Sequence, residues 1–299
     1  MEQLKLILGT VQFGLRYGIA NTHGQPTQDE VNAIIAAAAD GGIRMLDTAA
    51  GYGESEAVLG RALKATGLDK TMKVVSKVAV MPSDMTEEAA RVHIRKSLEN
   101  SLKQLQIDSL YALLFHREAD YRFFHILEEL VKEGRLQRAG CSLDAYEPEG
   151  IERAMAVQVP GNVLDRRFLK FTREAHARGT IIFDRSVYLQ GMLLMPVEKI
   201  PAYLQELVPY RQKLEALAAE IGIAPAELYM RYLFSIKEID GVLTGVDTID
   251  QLKSNMALAN KGPLSDDVMK RIVEIVPELP ERLIRPHNWV DRMKDSNVK

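Results

Sequence analysis

The sequence predicts one (β/α)8 barrel with a C-terminal helical tail, residues 1–299 forming a single domain. Three observations carry this. Eight short, β-rich apolar runs recur along the chain, longer amphipathic stretches alternate with them, and no Pro/Ser-rich linker or shift in composition divides the whole. Two domains of ~150 residues would also fit 299 residues, but α/β barrels reach such lengths as one unit.

The runs are 4–10, 43–48, 72–78, 109–116, 136–143, 156–160, 180–186 and 240–245. Several are apolar at consecutive positions, as in parallel strands buried on both faces. The first helical stretch follows Thr27, an N-cap with Glu30 at capping-box spacing, and ends at Gly41-Gly42. The stretch 86–105 is read with Ala89, Val92, Ile94, Leu98 and Leu102 on one stripe. Gly42, Gly134 and Gly179 stand where helices must stop sharply before the next strand. From Pro263 the chain exceeds the eight units and carries a further helix pattern and a tail with the only Trp, Trp289.

Composition narrows the function. At 46% apolar and 26% charged residues the chain is an ordinary globular protein. Its 38 Lys and Arg against 41 Asp and Glu leave a net charge of −3, so nucleic acid and anionic membrane are not expected partners. The longest apolar stretches, such as 33–39, are too short to cross ~30 Å of hydrocarbon, and the start lacks a secretory pattern. A cytoplasmic location is expected. Cys141 is alone, and His23, His93, His125, His176 and His287 lack metal-ligand spacing, so no metal is expected.

A barrel presents its chemistry at the C-terminal strand ends. There the sequence sets Asp47, then Tyr52 in a Gly-Tyr-Gly loop, Lys77 in an apolar context, and His116 directly after LYALLF. Taken singly, each has a plainer reading: a loop tyrosine, half of a structural ion pair, a packed core histidine. Together they form a proton-delivery device. A phenol with an ordinary pKa of ~10 releases its proton more readily beside an ammonium. Asp47 keeps that ammonium charged, and His116 holds the substrate oxygen. Such a set suits a carbonyl about to become an alkoxide.

The stretch GIRMLDTAAGYGESEAVLGRAL, followed by VVSKV and LLFH, closely resembles the signature of the aldo-keto reductase superfamily. The similarity runs from LILGTVQFG to about residue 260, over nearly the whole barrel. It implies NAD(P)H-dependent reduction of an aldehyde or ketone, reversibly, with Asp47, Tyr52, Lys77 and His116 catalytic and the cofactor bound without a Rossmann motif. Consistently, GYGESE lacks the third glycine of a dinucleotide fingerprint.

The resemblance also implies cofactor contacts. Gly9 and Thr10 lie near the nicotinamide, and Ser142 and Gln158 hold its carboxamide, while Leu143 stands where the family has Asn. Asn162 and Asp165 lead on from that strand. Arg185 replaces the aromatic residue that stacks on the ring, a role a planar guanidinium can also fill. Ser186, Tyr188, Leu189, Gln190 and Gly191 form a belt over the pyrophosphate, and Gly245, Gln251 and Asn255 wrap the adenosine. The family implies NADP(H). Asp247, and Gln251 where some members have Arg, also admit NAD(H).

Two other functions compete: a nicotinamide-binding regulatory or redox-sensing barrel with little turnover, and a metal-dependent hydrolase. The intact tetrad favours the reductase. The small-molecule carbonyl substrate is set by the loops after His116 and Arg185 and by the tail. Met192–Met195 read equally as pocket wall or packing, and Arg285 and Trp289 read as docking the tail rather than reaching the pocket. Oligomeric state leaves no mark in the sequence.

Overall fold

The computed structural model describes residues 4–19, 21 and 23–289. Eight parallel strands close in sequence order: β1 Leu6–Gly9, β2 Met45–Asp47, β3 Lys73–Lys77, β4 Leu110–Phe115, β5 Leu136–Ser142, β6 Ala156–Pro160, β7 Ile181–Arg185 and β8 Gly241–Gly245. Closure pairs Gly9 with both Asp47 and Gly245. Every strand lies inside a run read from the sequence. The helices are α1 Val11–Gly14, α2 Gln28–Asp40, α3 Ser55–Thr66, α4 Glu87–Leu105, α5 Phe124–Lys132 and α6 Leu169–Ala177, then α7 Val208–Glu220, α8 Pro225–Phe234, α9 Ile249–Ala259, α10 Asp266–Ile275 and α11 Glu281–Ile284.

Two cores hold the molecule. Ile7, Met45, Val75, Tyr111, Ala112, Leu114, Ala156, Phe183 and Leu243 form one cluster. The intervening strand residues join a larger cluster with the helices. This is the two-sided burial that parallel strands require, so near-continuous apolar runs were the correct signal.

The local punctuation behaves as its chemistry dictates. Thr27 and Glu30 form a reciprocal capping box on α2. Gly42, Gly134 and Gly179 take φ of 92°, 72° and 89°, open only to glycine without strain.

Two expectations need correction. The crossover from β5 to β6 carries only a 3-10 turn, Ile151–Arg153, among the described residues. Pro148 and a left-handed Gly150 interrupt that short segment, whereas α7 and α8 both lie between β7 and β8. On α4, Ala89 and Val92 face outward, and the buried stripe is Ala90, Ile94, Ser97, Leu98, Ser101, Leu102 and Leu105. At about 100° per residue Val92 falls on the opposite side from Ile94. Of the two readings left open for Met192–Met195, packing holds for Met192 and Leu193, which are core residues, while Leu194 is exposed.

Trp289 is fully buried and tilts against Tyr203, so this part of the tail docks. Residues 290–293, also read as part of the substrate-setting tail, lie outside the described residues. No helix among the described residues is long and apolar enough to cross a membrane.

Candidate active site

Strand alternation delivers the site. Side chains two residues apart share a face of a strand. Asp47 follows Met45, Lys77 follows Val75, His116 follows Leu114, Gln158 follows Ala156 and Arg185 follows Phe183, and all five leading residues belong to the one cluster. Each polar residue is therefore the next layer of that stack, at the C-terminal mouth.

The Lys77 ammonium donates to both Asp47 oxygens, at 2.8 and 3.0 Å, and to the Thr48 carbonyl at 3.0 Å. Both partners are almost fully buried. Burial pushes against the charged amine, but the Asp47 carboxylate and the Tyr52 phenol outweigh it and raise Lys77 above its ordinary value. It is a fixed cation. Its Nζ lies 5.0 Å from the centre of the Tyr52 ring. The Tyr52 and His116 rings meet edge to face, 5.7 Å apart. The four predicted residues thus converge on one place.

His116 is uncharged at neutral pH. Burial, then Lys77, Arg185 and Arg117, push its pKa down to about 4. Its Nδ1 is buried without a protein partner.

The Tyr52 loop is held from behind. Ser55 Oγ donates to the Thr10 carbonyl at 2.7 Å and lies 2.9 and 3.0 Å from the hydroxyls of Thr10 and Thr48. Thr10 Oγ1 donates to the Asp47 carbonyl at 2.9 Å. The Thr10 side chain is fully buried, so it braces the β1 and β2 ends. Gly14 of α1 abuts the loop so tightly that a Cβ there would lie 2.0 Å from the Tyr52 carbonyl oxygen. Gly53 takes φ of 57° against the same helix.

The residues read as cofactor contacts ring the same mouth. Gln158 Nε2 donates to Asp47 Oδ2 at 2.8 Å, and Ser142 is its register partner on β5. Ser186, Leu189 and Gln190 all hold positive φ, 74°, 47° and 55°, ahead of Gly191 at 90°. Such clustered non-glycine positive φ values persist only where the surrounding structure holds them. The Leu189 side chain points into the core, and Tyr188 donates to Asn255 Oδ1 at 3.4 Å. Gln251 accepts from the Asp247 amide at 2.7 Å. Gly9 is buried and Gly245 exposed at the β1–β8 seam.

Three participants escaped the sequence reading. Asn21 donates to Asp247 Oδ1 at 2.9 Å, and Tyr17 accepts from Gln190 Nε2 at 3.2 Å, so the loop after β1 straps across the loops after β7 and β8. Asp144 accepts from Arg185 at 3.2 Å and from Arg285 at 3.1 and 2.9 Å. The expected docking role of Arg285 therefore needs correction, because it is tied to the mouth through Asp144. A carboxylate one residue past the Leu143 departure was the available signal; the loop contacts had none.

The profile of the Aldo/keto reductase family matches residues 5–277. The chain belongs to that family. It is 31% identical to aldo-keto reductase YhdN of Bacillus subtilis over 152 residues, 46% of the chain and 46% of that relative. It is 25% identical to L-galactose dehydrogenase of Arabidopsis thaliana over 80% of the chain and 81% of that enzyme. The aldo-keto reductase AKR11C1 of Bacillus halodurans, solved in a holo form, shares the fold at TM-score 0.75 and 21% identity, covering 93% of this chain and 94% of its own. As a family member the chain is an oxidoreductase of the kind that uses a nicotinamide cofactor.

Proposed function

We propose that this family member reduces an aldehyde or ketone to an alcohol, reversibly, with Tyr52 as proton donor. The observation that carries this is the buried Asp47–Lys77 pair set beneath the Tyr52 ring, with the neutral His116 ring against its edge.

The residues present fit a nicotinamide cofactor. Gln158 gives one amide hydrogen to Asp47, and its carbonyl oxygen has no partner among the described residues, so it is available to an amide donor. The left-handed run at Ser186, Leu189 and Gln190 turns the backbone around the mouth. Ser142 and Gln158 would hold the carboxamide, and 186–191 the pyrophosphate. Gly245, Gln251 and Asn255 would hold the adenosine. Held there, a reduced nicotinamide would supply the hydride for carbonyl reduction.

The chain's own work is to place and move a proton. His116 Nε2 and the Tyr52 hydroxyl grip the carbonyl oxygen. As the oxygen gains charge, Tyr52 releases its proton to it. The Lys77 ammonium stabilises the phenolate left behind, and Asp47 keeps that ammonium in place. The reverse sequence oxidises an alcohol.

NADP(H) is the proposed cofactor on the family resemblance. Asp247, held by Asn21, puts a carboxylate where a cation would single out a 2′-phosphate, so NAD(H) is tested beside it. The test follows nicotinamide absorbance with a panel of aldehydes. Consumption with NADPH or NADH is expected. Tight cofactor binding with no consumption would replace the enzyme by a regulatory, cofactor-sensing barrel.

A further inference from the structure

The mouth holds a cation that proton transfer does not use. Lys77 is committed to Asp47 and Thr48, whereas Arg185 is only partly satisfied. Its Nη2 donates to the Leu143 carbonyl at 3.0 Å and to Asp144 Oδ1 at 3.2 Å, and its Nη1 to Ser186 Oγ at 3.4 Å. A guanidinium has five N–H groups. The Nε hydrogen and one Nη1 hydrogen of Arg185 have no partner among the described residues, and about a quarter of the side chain, 26%, is exposed.

Its counter-charge is shared. Asp144 gives one oxygen to Arg185 and the other to Nε and Nη2 of Arg285, so one carboxylate lies between two guanidiniums. Clamped at Nη2 by Leu143 and Asp144, Arg185 keeps its Nε hydrogen and one Nη1 hydrogen free on opposite sides of the guanidinium. Two further observations agree in sign. The charged groups bearing on His116 are Lys77, Arg185 and Arg117, all cations. Arg185 and Tyr52 both bear electrostatically on the Tyr17 hydroxyl, which accepts from Gln190 and keeps its own hydrogen to donate.

We propose that Arg185, assisted by Tyr17, binds a carboxylate on the substrate, which makes the preferred substrates carbonyl compounds that are also acids. This rests on the carbonyl-reductase reading and specifies its substrate class. A free N–H on this cation can donate a charge-assisted hydrogen bond to one carboxylate oxygen while the Tyr17 hydroxyl donates to the other. Stacking on a nicotinamide ring would use the guanidinium's face and carboxylate binding an in-plane N–H, so both roles are compatible.

The test compares kcat/KM for 4-carboxybenzaldehyde with benzaldehyde, and for succinic semialdehyde with butanal, in the wild type, Arg185→Gln and Arg185→Lys. Using the ratio within each pair cancels any uniform effect of Arg185 on cofactor binding. The acid is expected to lead by about ten- to hundredfold, the range of a charge-assisted hydrogen bond. Arg185→Gln should bring the ratio near one, and Arg185→Lys should retain part of it. Titration calorimetry with benzoate and benzamide supplies a readout independent of turnover: benzoate binds the wild type and not Arg185→Gln. A wild-type ratio at or below one overturns the inference, as does a ratio and benzoate affinity untouched in Arg185→Gln. Neutral aldehydes reduced without preference for acids would overturn this inference alone. If no carbonyl is reduced, the functional reading falls, and benzoate titration still decides the anion site.

Discussion

Tyr52→Phe is expected to lower turnover of any carbonyl substrate by about 10²–10⁴-fold, the usual worth of a positioned proton donor. The affinity for reduced nicotinamide should stay nearly unchanged. The substitution removes one oxygen and keeps the ring, which packs edge to face against His116 and over Lys77. The loop keeps its bracing by Thr10, Thr48 and Ser55, none of which touches the hydroxyl. Loss of kcat with an intact cofactor dissociation constant, read by fluorescence titration, isolates proton delivery. Wild-type turnover would move the donor to another residue.

Lys77→Met should fail twice over. It leaves the nearly buried Asp47 carboxylate with Gln158 Nε2 as its remaining side-chain donor and no cation. Breaking one side of a buried pair costs about 3–5 kcal/mol. In a chain of this length that lowers Tm by roughly 5–8 °C, measurable by calorimetry. Activity falls as well, because the phenolate loses its stabilising charge. Replacing both partners with apolar residues, Lys77→Met with Asp47→Leu, should recover part of the stability and none of the activity. Recovery of activity in the double variant would show that the pair is a structural strut only.

Asp47, Lys77 and His116 are legible because strand periodicity carries them to the mouth, whereas Tyr52 lies in a loop and is placed by the resemblance of its flanking sequence. Once 72–78 is a strand with Val75 inward, Lys77 must follow it to the mouth, and the same holds for Leu114 and His116. Burial on both faces also made the eight strands readable as apolar runs. What depends on loop conformation was not readable. The approach of Tyr17 to Gln190, of Asn21 to Asp247 and of Arg285 to Asp144 spans 173, 226 and 141 residues. No local pattern encodes such pairings. The α4 stripe failed for a different reason. Val92 was grouped by its apolarity although its angle on the helix sends it to solvent, where it is 63% exposed. At Arg185 the residue type is visible in the sequence, but its clamp at Nη2 by Leu143 and Asp144 is not.

The central claim is that Tyr52 hands a proton to a carbonyl oxygen as the carbonyl carbon is reduced. Quantifying benzyl alcohol formed from benzaldehyde against reduced nicotinamide consumed, in wild type and Tyr52→Phe side by side, tests it most directly. One alcohol per nicotinamide in the wild type, with both nearly abolished in the variant, is the predicted result. Nicotinamide consumed without alcohol, or equal alcohol from both proteins, would contradict it.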